Sequence, residues 1–172
     1  MKRLLLLVVV LVASSSMLAG ARAASSRTVD LVSGRVDGHP VLGRTVAGVT
    51  AVLGRPDFRH GNRRLYRIGW GTPTDFSMEV MFNRTNGALR AWSIVFARAP
   101  VRDARIGELL GRTSASLQAV VRTEYADLYT LIRRYRCRAG MCVGEFAQRD
   151  RPLHLTFGTF PAHRTHLAIW TS

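Results

Sequence analysis

Two cysteines, Cys137 and Cys142, and three histidines near the carboxyl end, His154, His163 and His166, are the side chains of this 172-residue chain best suited to chemistry. In an exported chain the cysteines are expected to form a local disulfide, because the four residues between them include Gly140 and let the backbone turn back. Closing so short a loop adds roughly 2 kcal/mol, enough to pin a hairpin. The other reading is a redox or nucleophilic thiol, which needs a lowered thiol pKa and usually a C-x-x-C spacing. The histidines could be imagined with the cysteines as metal ligands, but His163-x-x-His166 spans a turn and a strand start, and exposed histidines are the plainer reading. Asp75 and Glu79 flank one strand and do not read as a hydrolytic carboxylate pair. No G-x-S-x-G elbow, H-E-x-x-H motif, Gly-rich phosphate loop or calcium-loop spacing occurs. The sequence therefore predicts no catalytic residues, no metal and no cofactor.

Charge points to binding. Of 25 basic residues only Lys2 is lysine, so 24 are arginine against 11 acids, a net charge of +14. Without a second lysine there is neither a P-loop lysine nor a Schiff-base amine beyond position 2. Arg133, Arg134, Arg136 and Arg138 crowd around Tyr135, and Arg63 and Arg64 lie in a second dense stretch with Phe58 and Tyr66. Such mixtures can hold phosphate-rich or carboxylate-rich polymers. For an exported chain that means an anionic envelope polymer or lipid headgroup, not genomic nucleic acid. The alternative is a solvated basic surface reflecting an arginine-rich composition, which would still speed encounters with an acidic protein.

The elements that must position these groups are legible as a repeat. Leu42-Gly43-Arg44-Thr45-Val46-Ala47-Gly48-Val49-Thr50-Ala51-Val52 returns 68 residues later as Leu110-Gly111-Arg112-Thr113-Ser114-Ala115-Ser116-Leu117-Gln118-Ala119-Val120. Thr45 and Thr113 suit helix N-caps, and Val46, Val49, Val52 and Leu53, like Leu117, Val120 and Val121, recur at helical spacing. Gly54 and Pro56 end the first helix. A further short helix is expected from Asp103 to Leu110. Alternating strands follow each helix, with Asn86-Gly87 as a tight hairpin turn. The expected fold class is α+β: two tandem units, 35–100 and 101–172, each a short helix or helix pair on its own three- to four-stranded antiparallel sheet. Core positions should include Phe76, Met78, Val80, Trp92, Ile94, Leu155, Phe157 and Ile169.

Alternation then leaves Arg67, Glu79, Met81 and Arg90 outward in the first unit and His154, Thr156, His166 and Trp170 outward in the second. Outward Met81 and Trp170 have the character of interface anchors. The competing expectation is that Val29 to Val36 covers them.

Met1-Lys2-Arg3, the apolar run Leu4 to Ala13 and Ala21-Arg22-Ala23 read as a secretory signal over residues 1–23, with a linker over 24–34. A cut after Ala21 and retention as an anchor are the alternatives. The motif Gly43-Arg44-Thr45, Val49, Leu53-Gly54-Arg55-Pro56 reads G-x-T-x3-V-x3-L-G-x-P and resembles the signature of SmpA/BamE-type small envelope proteins. Two such units in a secreted chain resemble the β-lactamase inhibitor protein (BLIP) family. The second copy keeps Gly111-Arg112-Thr113 and Leu117 but has Arg122-Thr123 where L-G-x-P would continue. The resemblance implies a non-catalytic, protein-binding role and no particular β-lactamase target. The sequence reading is thus a secreted or envelope binding module that recognises a protein or envelope component through its open sheet surface.

Overall fold

The computed structural model describes residues 26–61, 65–98, 100–138, 141–160 and 164–172, the side chains at 135, 137, 138, 141, 142, 160 and 164 excepted. The expected signal segment 1–23, Arg63, Arg64 and His163 lie outside the described residues, as do the side chains of Arg138, Cys137 and Cys142. Among the described residues, no helix is long and apolar enough to cross a membrane.

Thirteen strands and two helices follow one another along the described chain. The first three strands are short: β1 (Arg27–Asp30), β2 (Arg35–Val36) and β3 (His39–Pro40). Helix α1 (Val46–Leu53) leads into β4 (Phe58–Gly61), β5 (Tyr66–Thr72), β6 (Asp75–Thr85) and β7 (Ala88–Phe96). After β8 (Val101–Asp103) and β9 (Gly107–Glu108), helix α2 (Ser114–Glu124) leads into β10 (Tyr129–Arg138), β11 (Met141–Gln148), β12 (Leu153–Phe160) and β13 (Arg164–Thr171).

Local chemistry starts both helices alike. The Thr45 hydroxyl accepts from the Gly48 N–H at 3.2 Å, and Thr113 from the Ser116 N–H at the same distance. Each thereby satisfies an amide that the helix cannot. Gly54 ends α1 at φ 85°, a conformation open to residues without a Cβ. Asn86 and Gly87, both at positive φ, turn β6 into β7.

The expectation of two units on separate small sheets is overturned. Strands β4 to β7 and β10 to β13 form one sheet in the order β10-β11-β12-β13-β7-β6-β5-β4, and the other five form a second sheet, β3-β2-β1-β8-β9. Strand is the dominant element. The physical reason lies at β7 and β13: two separate four-stranded meanders would each expose an unpaired edge there. Antiparallel pairing of the two strands, with Ile94 opposite Ile169 and Phe96 opposite Leu167, removes both edges and merges their apolar faces. The five-stranded sheet also joins the two halves, since β1 runs parallel to β8 with Val29 opposite Asp103.

The expected helix from Asp103 to Leu110 is absent as well, replaced by the β8–β9 hairpin. The Asp103 carboxylate accepts from the N–H groups of Arg105 and Ile106, and Gly107 takes φ 77°, so a side-chain-capped turn displaces the helix.

One core lies between the sheets and helices. Ile68, Val80, Ile94, Ile169, Leu155 and Phe146 form a buried row across the large sheet. Val49 and Leu53 of α1, Leu117 and Val121 of α2, and Val29, Leu31, Val36 and Val101 complete the cluster. The segment Val29 to Val36 is therefore part of the core side and does not cover Met81 or Trp170. Arg27 on β1 places its guanidinium 5.8 Å from the Trp70 ring centroid.

Candidate functional site

Alternation along the large sheet sends one set of side chains into the core and the other to the opposite face. The register across that face runs Ala147, His154, Trp170, Ser93, Met81, Arg67, His60 through strands β11, β12, β13, β7, β6, β5 and β4. A second row runs Arg133, Glu145, Thr156, Ala168, Val95, Glu79, Gly69. Six of the eight expected binding residues, Arg67, Glu79, Met81, His154, Thr156 and Trp170, thus share this face, with Glu79, expected outward, buried within it.

Its centre is aromatic. The imidazole of His154 stacks on the Trp170 indole with centroids 4.0 Å apart and planes at 15°. Trp170 donates its Nε1–H to the Thr156 hydroxyl at 2.9 Å. Trp92 meets Trp170 edge to face at 6.5 Å. Trp92 was expected in the core, two residues from Ile94. Between the pairs Met81–Ser93 and Phe82–Ala91 the β6–β7 register shifts, leaving Trp92 as the extra residue of a bulge. A bulge interrupts alternation, so the indole joins the opposite face. Its Nε1 is buried with no hydrogen-bond acceptor among the described residues. Neither tryptophan belongs to the side chains packed on the core cluster.

Charged groups frame the aromatic centre. Arg67 donates to Glu79 at 3.0 Å, and the Glu79 side chain is only 3% exposed. Burial pushes the Glu79 carboxyl above the ordinary carboxylate range, against the opposing pull of the Arg67 guanidinium and of His60. Phe58 lies over Gly69, the residue paired with Glu79. Its ring lies where a side chain on Gly69 would be, since a Cβ there would come within 2.3 Å of the ring. On the other flank Glu145 stands 3.5 Å from His154 Nδ1 and 3.8 Å from Arg133 Nε.

Two expected residues stand away from this centre. Arg90 is exposed and donates to the Gly43 carbonyl at 3.2 Å, beyond the end of β13. His166 lies at the far end of β13, 6.3 Å between ring centroids from Phe76, which is half-buried and not among the side chains packed on the core. Arg133, Arg134 and Arg136 are all exposed along β10, an edge strand. The backbone register sets Cys137 directly opposite Cys142. Among the described residues there is no group of three or more His, Cys, Asp or Glu side chains that could hold a metal ion.

Sequence reasoning missed Trp92 and Glu145 as members of the face. For Glu145 the signal was available, because it alternates with Phe146 exactly as Thr156 does with Phe157 in neighbouring sequence; for Trp92, strict alternation pointed the wrong way. The chain matches no protein-family model, no curated protein and no solved structure.

Proposed function

We propose that this protein is an exported, non-catalytic binding module that recognises another protein of the cell envelope or the extracellular space through the aromatic face of its large sheet. The observation that carries the reading is the cluster of Trp92, Trp170 and His154. Large apolar rings held by their neighbours, outside the core and ringed by polar groups, are the composition of interface anchors. Chemistry is left out of the reading because, among the described residues of the face, no hydroxyl is hydrogen-bonded to His154 or to a carboxylate. The signal-like segment 1–23 supports export. A kinship with SmpA/BamE-type and BLIP-family proteins is part of the proposal and rests on the Gly43 to Pro56 motif.

The basic composition fits an acidic partner, whose approach a net charge of +14 would accelerate. A second reading rests on the exposed arginines of β10: Arg133, Arg134 and Arg136 line an edge that could adsorb an anionic envelope polymer or lipid headgroups.

Affinity capture from an envelope fraction followed by salt elution separates the two. A protein held through about 0.5 M salt, and lost in Trp170→Ala or Met81→Ala, supports face docking. Release of everything at moderate salt, with small losses spread over many arginine variants, supports the polyanion reading and counts against the face.

A further inference from the structure

The contact between His154 and Glu145 is a separation without a bond, and we propose that protonation of His154 is the switch that orders the docking face. The proposal concerns regulation of the face and rests on the docking reading above. His154 Nδ1 is buried and has no hydrogen-bond partner among the described residues, yet it lies 3.5 Å from Glu145 Oε1. That nitrogen and the carboxylate do not meet in bonding geometry. Among the described residues, the other carboxylate oxygen faces the Arg133 Nε at 3.8 Å, on a side chain 65% exposed, a contact that solvent screens.

A proton changes both neighbours of the ring at once. Nδ1–H becomes a cationic donor beside Glu145, and a small approach of the two makes a charge-assisted hydrogen bond. On the other side the imidazolium lies flat over an indole, which turns a stack into a cation–π contact. The ionisable groups facing the ring are Glu145 from β11 and, through it, Arg133 from β10. Strand β13 contributes Trp170, and β12 itself supplies Thr156, which holds the Trp170 Nε1–H at 2.9 Å. One proton therefore ties a chain of side chains, Glu145, His154, Trp170 and Thr156, across three adjacent strands. The face is more ordered with His154 protonated than with it neutral, and a partner that binds the ordered face takes up a proton in doing so.

The test uses the full chain without any partner. Tryptophan fluorescence is followed from pH 8 to pH 5, with Trp170→Phe identifying the Trp170 component, because a charged imidazole stacked on an indole quenches it. Exchange of the Trp170 indole N–H is measured in parallel by NMR and corrected for the intrinsic pH dependence. The expected result is quenching of Trp170 on acidification and a gain in indole protection of about fivefold. Both are lost in His154→Gln and kept in His60→Gln and His166→Gln, and the protection is lost in Glu145→Gln. Absence of the acid-induced change in the wild type, or its persistence in His154→Gln, overturns the switch. Failure of salt-resistant capture with the titration intact would instead overturn the docking reading and leave the switch standing.

Discussion

Trp92 and Trp170 meet edge to face, ring centroids 6.5 Å apart, across the β7–β13 seam that joins the two halves of the large sheet. The anchor pair exists only because the seam exists, since one ring comes from each meander. Truncating either ring should therefore remove both a contact area and its partner's support. Trp170→Ala and Trp92→Ala are each expected to weaken capture about thirtyfold or more, the scale of a hot-spot loss of 2 kcal/mol. Their cost in urea unfolding should stay well below that of Phe157→Ala in the core, about 3–5 kcal/mol. Equal losses of stability and binding in all three would show that the tryptophans serve the fold alone.

Glu79 predicts a pH dependence with a definite sign. Burial raises its folded carboxyl above the ordinary range, so the native state holds this proton to higher pH than the unfolded chain does. Its contribution to stability is thus fully present below the unfolded value and declines as pH rises through the folded one. Unfolding free energies of wild type and Glu79→Gln, compared between about pH 4 and 7, should converge toward low pH and shift in favour of the variant as pH rises. A difference that moves the other way would mean that the Arg67 pair outweighs burial.

Gly69 is expected to tolerate nothing larger. A Cβ there would meet the Phe58 ring at 2.3 Å and the Met78 carbonyl oxygen at 3.0 Å. Gly69→Ala should destabilise by about 1–3 kcal/mol as the ring is driven off. Because the clash is mainly with one side chain, the cost in a Phe58→Ala background should be clearly smaller, a coupling that a double-mutant cycle in urea measures. Additive losses would place the strain at the Met78 backbone instead.

What the sequence disclosed and what it hid divide along a physical line. Thr45, Thr113, Gly54 and Asn86-Gly87 act within a few residues of themselves, and each does what its side chain or its φ preference dictates. The outward set from Arg67 to Trp170 was readable because period-2 alternation is local too. Joining β7 to β13 is a long-range choice that no local pattern encodes, so a single sheet was read as two. The Asp103 to Leu110 stretch shows a subtler failure: an aspartate before apolar residues is equally a helix cap and a turn former, and Gly107 decided for the turn. Trp92 was hidden by a bulge, whose extra residue leaves no mark in hydrophobic periodicity.

Asp103 shows how the second sheet is held to the end of α2, and it separates folding from docking. Its carboxylate is buried, accepts from the Tyr125 hydroxyl at 2.6 Å and from the Leu31 N–H at 3.2 Å, and also closes the β8–β9 turn. Burial, and after it the Asp103 bond, holds the Tyr125 phenol above its usual range, so it remains a donor at any pH the fold survives. Removing the acceptor in Asp103→Ala strands three buried donors, the Tyr125 hydroxyl and the Leu31 and Ile106 N–H groups, at about 1–3 kcal/mol each. Tyr125→Phe removes only the donor and should cost about 1 kcal/mol. Asp103→Asn should fall between them, since it keeps one oxygen and sets an N–H against the donors that the other oxygen served. All three lie on the core side, so at temperatures where each remains folded the salt-resistant capture should match wild type. Capture that falls in step with Asp103→Asn while its unfolding curve is unchanged would mean that this network, and not the aromatic face, contacts the partner.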